Sequence, residues 1–176
     1  LERLAFVISR AAEKRQLAME VRSLADDVLS HLDRVVAVLE ERDPYLAGHS
    51  ERVRTCAVRV GRALSLSQGE IKNIDLAGLI HDIGMLGQPI VVGKGLSPKE
   101  RAQIRRHPEG GAEILGGNPV FREVLPLVLT HHEHHDGSGY PHKLQGEEIP
   151  LGGRILGLAE VFVAMTSPRT YRLEES

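Results

Sequence analysis

The chain has 176 residues, is 41% hydrophobic and 26% charged, and carries a formal net charge of -2, which describes an ordinary globular protein and argues against nucleic acid or an anionic membrane as partner. A single cysteine, Cys56, excludes a disulfide framework and a cysteine-based zinc site, and the 3% aromatic content, with no Trp, excludes a base-stacking platform. The longest apolar run, Val35 to Leu39, is too short to span a bilayer, and a reducing, cytoplasmic setting is expected.

Residues 1–39 read as one long helix. Leu4, Ala11, Ala18, Ala25, Leu32 and Leu39 share one heptad position, and Val7, Lys14, Val21, Val28 and Val35 share its partner. No Gly or Pro interrupts the stripe. A seven-residue apolar repeat predicts a coiled coil, and Val along one seam favours two parallel strands, hence a homodimer. The competing reading is a helix packed on its own domain.

Shorter helices follow Asp43-Pro44. One is predicted over 50–64, with Val53, Cys56, Ala57, Val60 and Leu64 on one face, and one over 71–83, with Ile71, Ile74, Ala77, Ile80 and Ile83. Ser97-Pro98-Lys99-Glu100 opens another: Ser97 suits the N-cap, Pro98 the first turn, and Glu100 can complete a capping box. Gly116-Gly117 closes the following segment, and His107 is expected to end a helix. Residues 120–132 are predicted helical, Asp136 to Gly139 form a turn cluster, and Leu151 to Met165 form the last helix, with Ile155, Leu158, Ala159 and Phe162 inward. No strand is predicted, so the expected fold class is all-α.

The histidines carry the chemistry. His81-Asp82 is expected deep in a strongly apolar helix, His131-His132 ends another, and Glu160 lies beside the buried face of the last helix. Polar groups in apolar segments are costly without partners, and imidazole and carboxylate are ligands for zinc, iron or manganese. Neighbours on a helix point about 100° apart, so an adjacent pair serves two ions better than one. Two such pairs suggest a dinuclear centre. His49 and His107, taken singly, are weak candidates, His31 falls within the long helix and needs no functional role, and His134, His135 and His142 read as solvated.

Several motifs recur in register: H-D-I-G at 81–84, H-H-E-H-H-D-G-S-G-Y-P at 131–141, R-D-P-Y-L-A-G-H-S-E-R-V at 42–53, G-E-E-I-P-L at 146–151 and T-S-P-R-T-Y-R at 166–172. From about residue 39 onward the chain resembles the HD-GYP family of metal-dependent phosphohydrolases. The resemblance implies an HD-type helical bundle at 40–176 behind the signalling helix at 1–39. It implies two divalent transition-metal ions, iron or manganese, held by His49, His81, Asp82, His107, His131, His132 and Glu160. His81 and Asp82 would be catalytic, and Asp82 the natural bridge between ions. Asp43, Tyr140, Arg169 and Arg172 would contact the substrate, cyclic di-GMP, which the family hydrolyses by attack of a metal-held hydroxide on phosphorus. The start at Leu1 is expected of a fragment whose parent carries a sensor or receiver domain upstream, and the family usually continues beyond Arg172.

Three positions depart from the family pattern. Met85 stands where H-D-I-G is followed by lysine, Glu160 replaces an aspartate, and Val163 replaces another three residues on. Met cannot donate a proton or neutralise charge. The resemblance therefore implies either a phosphodiesterase with lowered turnover or a degenerate module that binds metal and relays a signal.

Overall fold

The computed structural model describes residues 2–41, 47–88 and 97–167. Its elements are helical: α1 (Glu2–Glu40), α2 (His49–Ala63), α3 (Gln68–Ile80), α4 (Pro98–Ile104), α5 (His107–Leu115), α6 (Leu125–Thr130) and α7 (Leu151–Thr166), with short 3-10 turns between them. Among the described residues no β-strand occurs, and one isolated bridge joins Asp136 to Gln145. The chain is all-α.

Two compact units are present, Leu1–Val35 and Val36–Ser176. In the first, α1 leaves Leu4, Val7, Leu17 and Val21 exposed. In the second, α2 packs on α3 and α7, and α5 and α6 complete the layer. Val53 and Ala57 of α2, Ile74 and Ile80 of α3, Val128 of α6 and Leu156 of α7 are fully buried there. Arg54 joins α2 to α3 through a two-pronged bond to Asp75, at 2.9 and 3.1 Å.

Local signals set several boundaries. Ser67 with Glu70 and Ser97 with Glu100 form reciprocal capping boxes at the starts of α3 and α4. Elsewhere the structure corrects the periodicity. α3 stops at Ile80, and His81-Asp82 lies at its end, where the chain tightens into the 3-10 turn Ile83–Gly87. The predicted helix over 120–132 is a 3-10 turn, Pro119–Phe121, followed by the short α6, because Pro126 lacks the N–H that a continuous helix needs and is seated in a first turn. His107 opens α5, with Pro108 behind it. On α7 the inward stripe is Ile155, Leu156, Ala159 and Val163; Leu158 and Phe162, expected inward, are 61% and 56% exposed, and Leu64, expected on the inner face of the helix over 50–64, lies just past the end of α2 and is 54% exposed. The four-residue step from Ile155 to Ala159 to Val163, with Leu156 beside it, is the face that α7 turns toward α2, α3 and α6, while Leu158 and Phe162 fall outside that face.

Candidate metal centre

The C-terminal end of α3, the first residue of α5, the end of α6 and the middle of α7 converge. They bring Asp82, His107, His131 and His132 into one group and His49, His81 and Glu160 into a second; within each, the potential ligand atoms lie within 4.8 Å of one another. Asp82 reaches both sets: Oδ1 is 3.2 Å from His107 Nε2 and Oδ2 is 3.4 Å from His81 Nε2. His132 Nδ1 lies 3.5 Å from Glu160 Oε2.

Gly84 explains how α5 comes so close. A Cβ there would collide with the His107 carbonyl and the Gly111 N–H. The third letter after His81 must therefore be side-chain-free for His107 to stand beside Asp82.

Three histidines share one local device. His81 Nδ1 faces the Gly78 carbonyl at 2.9 Å, His107 Nδ1 faces Ile104 at 2.9 Å, and His131 Nδ1 faces Val128 at 2.6 Å. A carbonyl only accepts, so each Nδ1 carries a proton, and in the neutral ring Nε2 is the nitrogen left with a lone pair for a cation. His107 Nε2 and His131 Nε2 then face each other at 3.1 Å as two acceptors. His81 Nε2 is buried without a hydrogen-bond partner. Orphaned lone pairs of this kind are costly unless a cation accepts them, and backbone-fixed imidazoles are the usual metal ligands. The donor set, nitrogen and carboxylate oxygen, fits a borderline transition metal. The cluster can hold metal.

The electrostatics agree. Burial, with the neighbouring imidazoles, holds His131 well below the ordinary histidine value and His132 at about 3. Burial also lowers His49 and His107. These rings are neutral at pH 7, the state a ligand requires. Burial opposes charge on His81, but Asp82 and Glu160 outweigh it and raise its pKa. Burial would raise Asp82, yet His81 and His107 hold it at about 2. Glu160 is pushed up to about 7 by burial, with Asp82 opposing its ionisation further.

The loop after α6 is built around Glu133. Its carboxylate is buried and accepts from the N–H groups of His142 at 2.6 Å and Leu144 at 3.1 Å. Glu133 thus ties down the loop, in which Tyr140 N–H donates to the His132 carbonyl at 3.1 Å. A Cβ at Gly139 would strike the backbone of Glu133 and His134. The loop lays the Tyr140 ring flat on His132, with centroids 4.6 Å apart and planes inclined 25°. Arg105 stands over the other aromatic partner of that stack, its guanidinium carbon 5.1 Å from the Tyr140 centroid. Among the described residues no carboxylate pairs with the Arg105 guanidinium.

The structure therefore brings together all seven residues expected to hold metal and places Tyr140 against them. Asp43, Arg169 and Arg172 lie outside the described residues. Met85 is half-buried in the 3-10 turn, its N–H bonded to the Asp82 carbonyl at 2.8 Å. Val163 is buried in the α7 stripe, where an apolar side chain belongs. His31, His134, His135 and His142 are exposed. Arg105 and the loop-holding role of Glu133 have no signature in spacing; the only hint is the basic pair Arg105-Arg106 directly before His107. A cavity of about 540 Å³ borders the cluster, lined among others by His131, His132, Arg154 and Glu160, a size suited to a small-molecule ligand. Among the described residues no helix is long and apolar enough to cross a membrane.

Comparison with known proteins narrows the chemistry. Residues 34–176 match the model of the HD domain family. The chain is 38% identical over 176 residues to the cyclic di-GMP phosphodiesterase response regulator RpfG of Xanthomonas campestris pv. campestris, covering 93% of this chain and 46% of that protein. It is 33% identical over 178 residues to a cyclic di-GMP phosphodiesterase of Thermotoga maritima, covering 98% and 47%. It is 32% identical over 178 residues to a 3'3'-cGAMP-specific phosphodiesterase of Vibrio cholerae, covering 98% and 33%. The chain thus spans less than half the length of these relatives. Among solved structures, Bd1817, a HDG"Y"P protein from Bdellovibrio bacteriovorus, superposes with a TM-score of 0.60 at 22% identity, over 68% of this chain and 40% of that one, a likeness of fold.

Proposed function

The chain belongs to the HD domain family, with the motifs of its HD-GYP branch, and on that premise we propose that it is a metal-dependent phosphodiesterase acting on cyclic di-GMP. One observation carries the reading: six neutralisable or anionic groups, His81, Asp82, His107, His131, His132 and Glu160, are buried or half-buried together, and three of the imidazoles turn Nδ1 to a backbone carbonyl so that Nε2 is the nitrogen left for a cation. Such a set has no purpose in a helical core without a cation.

His49, His81 and Glu160 would hold one divalent ion and His107, His131 and His132 a second, with the Asp82 carboxylate available to both, and iron or manganese would suit this donor set. When bound, the pair supplies charge neutralisation at phosphoryl oxygens and a nucleophile at neutral pH. The protein's own part is positioning. The carbonyls of Gly78, Ile104 and Val128 fix the imidazole tautomers and orientations. Asp82 stays ionised across the physiological range. Arg105 puts a charged fork at the rim of the stack on His132, where it suits phosphate oxygens. Tyr140 remains protonated, its pKa raised by burial, so that its hydroxyl can donate. Arg169, Arg172 and Asp43 complete the phosphate and nucleotide contacts in this reading. The exposed seam of α1 supports a parallel homodimer in the cytoplasm, driven by an upstream sensor or receiver domain.

The test is product analysis. Metal-reconstituted protein mixed with cyclic di-GMP yields linear pGpG or GMP, followed by chromatography; no turnover with full metal occupancy refutes the enzyme. Met85 favours a second reading, a degenerate module that keeps metal and relays a signal, and that result would establish it. The relatives named for 3'3'-cGAMP make that dinucleotide the control substrate.

A further inference from the structure

α2 begins without a cap of its own. Its N-cap is Gly48, in a left-handed conformation (φ 68°) and without a side chain to accept a hydrogen bond. The position that would close a local box, the third residue of the helix, is Glu51, but its carboxylate is engaged with Arg54 at 3.2 Å and with Thr55 at 3.4 Å. The N-cap N–H, which a capping box satisfies from within the helix in α3 and α4, is served here from another helix, together with the N–H of the second helical residue. Glu40, the last residue of α1, accepts from Gly48 N–H through Oε2 at 2.6 Å and from Ser50 N–H through Oε1 at 2.7 Å. These are short, charge-assisted bonds, and they place a negative charge at the positive end of the α2 dipole. The two amides flank one residue, His49.

We propose that Glu40 is a positioning residue for the metal centre: its two oxygens clamp the chain on either side of His49 and make that ligand's place depend on the last turn of α1. The inference rests on the reading of His49 as a ligand. Gly48 is the residue least able to define its own backbone, and among the described residues the other side-chain bond at this entry, from the Arg52 guanidinium to the Ala47 carbonyl at 2.9 Å, holds the residue before Gly48 and not the amides beside His49. The consequence is selective. Losing the clamp frees the His49 end of the cluster, whereas His107 and His131 keep their own bonds to backbone carbonyls. The same link gives α1 a direct mechanical path to a metal ligand: Val36 and Leu39 anchor its last turn in the core, and Glu40 passes the pose of that turn to His49.

The experiment titrates Mn²⁺ into chelator-stripped full chain, with calorimetry and electron paramagnetic resonance as readouts. Wild type is expected to take two ions. Glu40→Ala is expected to weaken one ion by ~10-fold or more, the effect of removing a group that orients a ligand, and to leave the other within about two-fold. Glu40→Gln keeps one acceptor and should fall between, and it serves if the alanine variant does not fold. Ser67→Ala, which uncaps α3, is the control for lost helix stability and should leave both ions bound as in wild type. Two ions bound normally by Glu40→Ala overturn the proposal, as does equal weakening of both, or Ser67→Ala reproducing the effect. Wild type that takes no second ion overturns the metal assignment itself and is distinguishable from these by the wild-type titration alone.

Discussion

His107 Nε2 and His131 Nε2 face one another at 3.1 Å, each with its other nitrogen already bonded to a backbone carbonyl. Two lone pairs at that separation repel, and the arrangement becomes favourable only around a shared cation. His131→Ala should therefore weaken the ion of that group by at least ~100-fold, more than the loss of a supporting group does. Elemental analysis of anaerobically prepared protein checks it; an unchanged metal content rules the assignment out.

Acid should destabilise the metal-free protein. His49, His107, His131 and His132 have lowered pKa values in the fold, caused first by burial, and His132 lies at about 3. Each contributes stability that is present above the unfolded histidine value near 6.5 and is lost as pH falls below it. Glu160 and His81 are raised and act in the opposite sense, their stability being lost as pH rises; for Glu160 the loss is centred at about 7. Four groups outweigh two, so the melting temperature of chelated protein should fall from pH 7 to pH 5. A rise over that interval contradicts the balance.

Met85 should limit the chemical step rather than metal binding. It lies in the 3-10 turn after Asp82 and belongs to neither ligand group. General-acid assistance is worth ~10²–10⁴-fold, or about 3–5 kcal/mol of barrier. Hydrolysis by the unmodified protein should be slow, and Met85→Lys should raise kcat with metal content unchanged. A fully charged variant with bound nucleotide and no gain in turnover supports the relay module instead.

Arg105 should act on substrate binding. Its guanidinium is held by the Tyr140 face and has no carboxylate partner among the described residues. A hydrogen bond to a charged group contributes about 1.5–3 kcal/mol, so Arg105→Ala should raise KM ~10-fold or more while metal affinity stays within about two-fold. Arg105→Lys should recover part of the loss. An unchanged KM removes Arg105 from the site.

The exposed Val, Leu and Ala seam of α1 should pair two chains. Sedimentation at micromolar concentration is expected to give a dimer mass, and Val21→Asp should return a monomer, because a charge at a seam position is left unpaired in the interface. A monomeric wild-type chain excludes the coiled coil.

Much of this molecule was legible before any coordinates. Ser97, Pro98 and Glu100 announced the start of α4, and Ser67 with Glu70 form the same box at α3, because caps are satisfied within four residues. The pairs His81-Asp82 and His131-His132 marked the centre because polar groups stood out against apolar periodicity. What distance along the chain hides is who meets whom. His107 opens a helix beside Asp82 only because Gly84 lets α5 close in. Glu133 closes a loop nine and eleven residues ahead, and Glu40 caps a helix that begins after it. Leu158 and Phe162 face outward because the face that α7 buries against α2, α3 and α6 is narrower than its apolar sequence. Residue type and local spacing fixed the chemistry that could occur, since propensity and capping are short-range; the tertiary structure decided which lone pairs were stranded together, since burial and packing are properties of segments far apart in the chain.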